Sequence, residues 1–289
     1  MKVNPIIVGA DGTDSSKAAV RWAAREAQRR GLPLRVTHVF DWEWREARYD
    51  SSNVYLDDAR KHAEGVTATC VHEAHVVAPK LQVEGDPVIG HPAARLLAET
   101  ENGVLTVLGS RGRGGFASLL LGSVSQLVAT HAPTPVVVVR GRGDVTDGPV
   151  VTGVDDSPVA DEVLATAFEA AARRGCALEV VRSYLPVVPL WMDKKADADA
   201  PAPEDDKQES AKLEAQLAPW REKYPDVPAD VAVTHQGIAG VLVEASHRAQ
   251  LVVVGSRGHG VIAGTLLGST GLQLLHHADC PVYIVRAKR

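Results

Sequence analysis

The amino-acid sequence contains one pattern twice, and this repeat is the strongest constraint on the fold. The run Gly-Ser-Arg-Gly at residues 109–112 recurs 146 residues later at residues 255–258. Upstream, residues 8–13 match residues 152–157 at an offset of 144. Matches across the whole half-length, at nearly one offset, indicate duplication of an entire domain, because the stacked repeats of solenoid proteins are much shorter.

We therefore predict two domains, over residues 1–140 and 149–289, joined by a linker over residues 141–148. A chain of 289 residues is long for one domain and comfortable for two. The linker is rich in glycine and polar residues, which predicts a flexible connection. The hydrophobic fraction of 45% and the charged fraction of 23% are ordinary for a folded globular protein.

Strands and helices alternate within each half. Helical spacing of apolar residues predicts a first helix that begins near Asp14 and ends at Gly31, and a later helix over residues 118–131. Apolar runs predict strands at residues 5–10, 34–40, 75–83, 104–108 and 136–140. Such alternation favours a parallel sheet with helices on both faces. The expected fold class is therefore α/β, with two tandem doubly wound domains that each contain a five-stranded, mostly parallel sheet.

The second half follows the same plan with one longer connection. Residues 193–206 are rich in alanine, proline and charge and show no apolar period, which predicts a mobile insert. A helix over residues 210–223 is expected to follow, with Leu213, Leu217 and Trp220 on one face.

Charge, cysteine content and hydropathy argue against several classes of protein. The net charge of −5 is unlike that of most nucleic-acid-binding proteins. Cys70, Cys176 and Cys280 are far apart and match neither a disulfide framework nor a zinc-ligand spacing. The apolar start is too short for a signal peptide, and no apolar stretch approaches the roughly 20 residues that span a bilayer. We therefore expect a cytoplasmic protein with no nucleic-acid or membrane partner.

A glycine-rich loop joins a buried strand to a helix in each half. This junction exposes backbone N–H groups and the positive end of a helix dipole, which suits an anion such as phosphate. The spacing Gly-x2-Gly-x9-Gly-Ser differs from GxGxxG and from GxxxxGK[ST], and no lysine follows the glycines. Gly109 and Asp11 both follow strands at the edge where doubly wound sheets bind ligands. Glycines that serve only a tight turn are the alternative, but a turn does not explain the spacing to Gly122.

These features together resemble the ATP-binding branch of the universal stress protein family. The shared motifs are the glycine loop, the aspartate turn at Asp11 and Asp155, and a closing strand introduced by Pro135 or Pro281. The likeness covers essentially the whole chain twice, so the chain is similar to a tandem-domain member. The resemblance implies an adenine nucleotide alpha hydrolase-like, Rossmann-like fold, ATP as the ligand with Mg²⁺, and a role in stress response.

The resemblance also implies roles for particular residues. The glycines admit phosphate, the serine hydroxyls bind phosphate or a divalent cation, and the arginines neutralise phosphate charge. The aspartates meet adenine or ribose, and backbone groups after the second strand meet the adenine edge. The predicted nucleotide-binding residues are Asp11, Val39, Gly109, Arg111, Gly112, Gly122, Ser123, Val124 and Ser125 in the first half, and Asp155, Ser183, Gly255, Arg257, Gly258, Gly268, Ser269 and Thr270 in the second. Two alternatives stay open: the aspartates cap the first helix of each half, or the arginines point to solvent.

The preferred function is regulatory nucleotide binding with at most slow ATP hydrolysis. No catalytic residue is predicted, because no general base pairs with a nucleophile and no Walker lysine is present. One alternative is an adenylating enzyme, since residues 9–15 loosely resemble the loop of PP-loop ATP pyrophosphatases. Another is an interaction scaffold that binds no nucleotide, although the intact Gly-Ser elements argue against it.

The fifth strand of each half, over residues 136–140 and 282–286, is expected at a sheet edge. Apolar edges are usually paired or covered. In the resembling family these strands join antiparallel, which implies an internal pseudo-dimer here, or a homo-oligomer.

Overall fold

The computed structural model describes residues 3–40, 54–112, 120–184, 203–256 and 267–287. Strands and helices alternate from one end of the described chain to the other. The first half contains β1 (Ile6–Gly9), α1 (Asp14–Arg30), β2 (Leu34–Phe40), α2 (Val54–Val77), β3 (Val83–Ile89), α3 (Pro92–Thr100), β4 (Leu105–Gly109), α4 (Ser123–His131) and β5 (Val136–Val139). The second half contains β6 (Val150–Gly153), α5 (Ala160–Arg174), β7 (Leu178–Ser183), α6 (Pro203–Lys223), β8 (Ala229–Thr234), α7 (Ile238–Ser246), β9 (Leu251–Gly255), α8 (Ser269–His277) and β10 (Val282–Val285).

All the strands lie in one sheet with the order β3-β2-β1-β4-β5-β10-β9-β6-β7-β8. Neighbours pair in parallel within each half, and the halves join where β5 and β10 pair antiparallel, with Val138 opposite Val282. The α/β fold class is therefore confirmed. In each half the chain changes direction across the sheet between the first and fourth strands, β1 and β4 or β6 and β9, which is where doubly wound sheets form a ligand crevice.

Two apolar layers cover the sheet. One cluster joins α1, α2, α5 and α6 to one face of the sheet and includes Ile6, Val8 and Phe168. The other joins α3, α4, α7 and α8 to the opposite face and includes Leu108 and Val138. Because successive residues of a strand point to opposite faces, an unbroken apolar strand fills both layers.

Helix α1 is fixed at both ends by its own sequence. The hydroxyl of Thr13 accepts a hydrogen bond from Ser16 N at 3.3 Å and forms the N-cap. Gly31 ends the helix in the left-handed conformation with φ of 64°, as expected for a glycine after a helix. The same stop recurs at Gly175 after α5.

The prediction of a third strand over residues 75–83 is wrong. Helix α2 continues to Val77 because Cys70, Ala74 and Ala78 recur at four-residue spacing and are all fully buried against the sheet. The strand is β3, at the outer edge, where Pro87 is tolerated because one side of the strand has no ladder to maintain.

Two helix starts also differ from expectation. Helix α4 begins at Ser123, and residues 120–122 before it are not helical, while the predicted start near residue 118 lies outside the described residues. Helix α6 begins at Pro203, so the end of the predicted insert is helical, and residues 193–202 lie outside the described residues. Leu213 and Leu217 are fully buried, as their spacing predicts.

The linker packs against both halves, unlike the flexible connection that its composition suggests. Arg142 donates to the carbonyl oxygens of Ser246 and Ala249 in the second half. Asp144 binds Arg21 at 2.7 Å and Arg25 at 3.2 Å in the first half. The linker begins at Gly141 and ends at Gly148. These residues have positive φ values of 50° and 95°, which glycine adopts readily and other residues rarely do.

A buried ion cluster lies between α1 and α5 of the two halves. Glu26 binds Arg174 at 2.7 Å and Arg30 at 2.6 Å, and the side chains of Glu26 and Arg174 are 1% and 2% exposed. Arg30 and Arg174 occupy equivalent positions in the repeat, whereas the counterpart of Glu26 is Ala170. One carboxylate therefore serves two related arginines, and the internal symmetry is broken at this point.

Candidate functional site

The predicted aspartate turn lies at the carboxyl end of β1, beside β4. Asp11 Oδ1 accepts hydrogen bonds from Thr13 N at 3.0 Å and from Thr13 Oγ1 at 2.6 Å. The other carboxylate oxygen lies against the glycine loop, because a Cβ placed on Gly112 would be 2.7 Å from Asp11 Oδ2. The cap of α1 is Thr13, so Asp11 organises the turn and borders the loop without capping the helix itself.

The glycine loop forms a tight corner against the start of α1. A Cβ on Gly109 would lie 2.7 Å from Ser15 O, and Arg111 N donates to Ser15 Oγ at 3.2 Å. Gly122 N donates to Ser110 O at 2.7 Å, which brings the far end of the loop back to its beginning. Residues 113–119 between these ends lie outside the described residues. The strand end, the loop and the next helix therefore converge on the same corner.

Helix α4 begins directly at this corner, with Gly122 as its N-cap. The first amide to donate back into the helix is Gln126 N, to Gly122 O at 2.9 Å. The amides of Ser123, Val124 and Ser125 belong to the first turn and have no acceptor within the helix. The backbone at Gly122, with φ of −75° and ψ of 146°, suits any residue, yet glycine offers no capping side chain.

The other predicted first-half residues take different positions. The Ser125 hydroxyl donates to Gly109 O at 2.6 Å and is buried, so it ties the helix to the strand end. Val39 is the penultimate residue of β2, has 9% of its surface exposed and packs in the apolar layer. Arg111 is exposed at the rim of the corner.

The second half repeats the main features. Asp155 Oδ1 accepts from Ser157 N at 3.0 Å, and Gly268 is the N-cap of α8. Gly268 N donates to Ser256 O at 2.8 Å, as Gly122 does to Ser110. Ser269 and Thr270 form the first turn of α8 after the end of β9 at Gly255. The remaining predicted residues, Arg257 and Gly258, lie outside the described residues.

A family model described as the universal stress protein family matches residues 2–140 and 148–286. The chain belongs to the universal stress protein family. It is 35% identical over 293 residues to the universal stress protein Rv2005c of Mycobacterium tuberculosis, with 99% of this chain and 98% of the relative covered. A universal stress protein of Mycolicibacterium smegmatis is 33% identical over 300 residues, with 98% and 97% covered.

Solved structures show the same fold for this universal stress protein. A crystal structure of a universal stress protein from Archaeoglobus fulgidus matches with a TM-score of 0.73 and 19% identity, over 99% of each chain. The match runs through both halves, so the tandem arrangement of two universal stress protein domains is shared by the relatives and the solved structure alike.

The second half of this universal stress protein contains an ionic network that sequence reasoning missed. Arg182, near the end of β7, is 4% exposed and binds Asp156 at 2.6 Å and Glu209 of α6 at 2.9 Å. Burial by itself lowers the pKa of Arg182, but the two adjacent carboxylates outweigh it and leave that pKa raised. The signal in the sequence was the repeat alignment, which places Arg182 opposite His38.

Three further side chains meet beside that network. Asp206 of α6 accepts a hydrogen bond from Tyr184 Oη and lies 2.8 Å from His235 Nε2. The rings of Tyr184 and His235 are in edge contact, with centroids 4.7 Å apart. Ser183 precedes Tyr184, and its hydroxyl donates to Gln236 O at 2.7 Å. Helix α6 is thereby fixed to the carboxyl ends of β7 and β8.

Among the described residues, no three His, Cys, Asp or Glu side chains are grouped so as to hold a metal ion. Cys70 and Cys280 are buried free thiols, Cys176 is half-buried, and burial raises the pKa of Cys280 to about 12. In the same ranges, the helices are all too short or too polar to cross a membrane.

Proposed function

We propose that this universal stress protein binds adenine ligands at the corner of β1, β4 and α4 and at its counterpart in the second half, with ATP and Mg²⁺ bound in one or both of them. The observation that carries the proposal is Gly122. Neither its backbone angles nor its packing against the described residues requires glycine, because a Cβ there would make only ordinary contacts with them, 3.5 Å from Ser110 O at the closest. A glycine at this N-cap instead leaves the first-turn amides of α4 open to an external anion.

The surrounding contacts support the same assignment. Gly112 leaves room beside the Asp11 carboxylate, where a side chain would collide. Asp11 Oδ2 then faces the loop, and a carboxylate in that position accepts hydrogen bonds from ribose hydroxyl or adenine amino groups. Ser123 presents a hydroxyl at the exposed start of the helix. Phosphate would bind the amides of α4, and the nucleoside would extend across β1 towards the end of β2 at Val39.

The role is regulatory in this proposal, and stress response is the process that the family implies. No lysine occurs between residues 109 and 125 to stabilise a transferred phosphoryl group. Ser125, the second hydroxyl of the helix start, is committed to Gly109 O. Any hydrolysis of bound ATP would therefore be slow.

The Gly122→Asp variant distinguishes an effect on ATP binding from an effect on the stability of the fold. Aspartate is a good N-cap residue, so Gly122→Asp leaves stability unchanged or raises it by a few tenths of a kcal/mol. The same carboxylate occupies the anion position, and opposing a like charge costs several kcal/mol, so ATP affinity of the first half should fall by about a hundredfold or more. Native mass spectrometry and calorimetry with ATP would measure the two effects, and wild type should bind up to two nucleotides.

The matched control is Gly237→Asp, because Gly237 is the N-cap of α7, away from the first-half corner, and a Cβ there meets no described atom within 4 Å. This variant should bind ATP in the first half as wild type does. Failure of wild type to bind any adenine nucleotide would refute the proposal, and so would unchanged ATP affinity and stoichiometry in Gly122→Asp.

A further inference from the structure

The two candidate nucleotide sites differ sharply in charge. Positions around the aspartate turn and the second-strand end can be paired by the offset of 144, since Gly31 and Gly175 end α1 and α5 in the same way. Positions in α2 and α6 pair at an offset of 146, because five residues separate the end of each helix from the start of β3 or β8. The strands then pair in one register, with Leu34 opposite Val83 and Leu178 opposite Ala229.

Six positions of each half, named below, are compared in this way. Those of the first half carry a net formal charge of +1, and those of the second half carry −5. Arg182, which replaces His38, and Lys212, which replaces Val66 and binds Glu209 at 2.6 Å, bring the second set to −3. The first-half residues are Gly12, Asp14, Lys17, Ala18, Arg60 and Ala63, and their counterparts are Asp156, Pro158, Asp161, Glu162, Asp206 and Glu209.

Contacts hold the acidic groups beside the second site. Asp156 directly follows Asp155 in the turn, and it binds Arg182 at 2.6 Å. Arg182 in turn binds Glu209 at 2.9 Å, so α6 is tied to the strand end that precedes Ser183. Arg182 is 4% exposed and shared by these two carboxylates, and Lys212 also binds Glu209 at 2.6 Å, so the unbalanced charge is that of Asp161, Glu162 and Asp206.

The turn of the second half also contains an unused hydrogen-bonding group. The Ser157 hydroxyl has no hydrogen-bond partner among the described residues, and Ser157 is 8% exposed. Its counterpart, Thr13, both donates to Asp11 and caps α1. Buried hydroxyls are normally paired, so a ligand hydroxyl such as that of ribose suits this position.

We propose that the two halves select adenine ligands by charge: the first half takes ATP, and the second half favours adenosine or a nucleotide with fewer phosphates. This inference rests on the proposed function, since both corners must bind adenine ligands. Like charges repel over about the Debye length, which is about 8 Å at physiological ionic strength, so a charge cluster on the nucleoside side still acts on the phosphates. Each phosphate therefore weakens binding in the second half relative to the first.

Single-site variants isolate the two halves for the test. Gly268→Asp leaves the first site, and Gly122→Asp leaves the second. Calorimetry at low ionic strength would give the ratio of adenosine to ATP dissociation constants in each variant. We expect ATP, relative to adenosine, to be disfavoured at least tenfold more in the second half, with ADP and AMP in between. Added salt should narrow this difference.

Neutralising the cluster gives the decisive comparison. In the Gly122→Asp background, Asp206→Asn with Glu209→Gln should strengthen ATP binding several-fold and leave adenosine binding unchanged. The matched control is Glu222→Gln with Asp226→Asn, an equal change of charge in the last turn of α6 and in the turn that follows it, which should alter the binding of neither ligand. The same adenosine-to-ATP ratio in both halves would overturn the inference, as would a difference that neither salt nor neutralisation reduces. Absence of all adenine-ligand binding would instead refute the proposed function.

Discussion

Removing the carboxylate of Glu26 should destabilise the protein at the contact between its two halves. Glu26→Gln keeps the shape of the side chain but leaves the guanidinium of Arg174, which is 2% exposed, without its counter-ion. Breaking a buried ion pair by removing one partner typically costs about 3–5 kcal/mol. Arg30 keeps 14% of its side chain exposed and can retain water, so we expect the lower end of this range.

Urea unfolding provides the assay. With a slope of about 3 kcal/mol per M, a loss of about 3 kcal/mol moves the midpoint down by about 1 M. The control is Glu169→Gln, because Glu169 binds Arg173 at 2.9 Å on the surface, where the two side chains are 41% and 36% exposed. Such an exposed pair contributes about 0.3–0.5 kcal/mol.

A second variant tests the cause of the effect. Replacing the pair by apolar residues, Glu26→Leu with Arg174→Met, removes the more deeply buried of the two arginines that would be left unpaired. Because Arg30 can retain water, the double replacement should recover part of the stability lost in Glu26→Gln. The reasoning is refuted if Glu26→Gln shifts the midpoint no more than Glu169→Gln. It is equally refuted if the double replacement costs the sum of its two single changes.

Three further outcomes are expected. Burial raises the pKa of Glu26, but the arginines around it outweigh this and leave the pKa lowered. The contribution of Glu26 to stability is therefore complete above the unfolded pKa of about 4.3 and disappears as the pH falls through the lower folded pKa. Urea midpoints of wild type should approach those of Glu26→Gln only as the pH falls well below about 4.3. Gly148→Ala should lower the free energy of unfolding by more than about 1 kcal/mol, because Gly148 has a φ of 95° and a Cβ there would lie 2.2 Å from the carbonyl oxygen of Arg248. Gly65→Ala, on α2 where a Cβ would meet no described atom within 4 Å, should raise it by up to about 1 kcal/mol. Equal changes in thermal unfolding for the two variants would contradict this. Ser125→Ala should destabilise by about 1–3 kcal/mol through the unpaired carbonyl of Gly109, and unchanged unfolding would argue that its hydroxyl serves a ligand instead.

Most of the architecture follows from sequence pattern. The repeat and the apolar strands predict the doubly wound halves, because continuous burial of a central strand leaves a continuous apolar run. The third strand was misplaced because an edge strand lacks that run: β3 contains Glu84, Gly85, Asp86 and Pro87 and is half exposed. The helix before it has few large apolar residues, since small ones such as Ala74 contact the sheet closely.

The candidate site, too, contains parts that the sequence predicts and parts that it does not. Motif spacing predicts the loop and the start of α4, because both are local in sequence. The ionic network of Arg182 depends on which turn of α6 lies beside the end of β7. The buried ion cluster at Glu26 depends on how the two halves pack against each other. Neither arrangement has a local signature, so only the folded structure brings these residues together.

The fixed linker has a consequence for association between copies of the chain. Arg142 is bound by the second half and Asp144 by the first, so an exchange of halves between molecules would have to break these contacts. Domain swapping commonly begins at a hinge that can open. The linker contacts instead favour packing of each first half against the second half of its own chain. A residue where the two halves meet therefore always contacts the same partner residues. This permits equivalent positions of the repeat to differ, as Glu26 and Ala170 do.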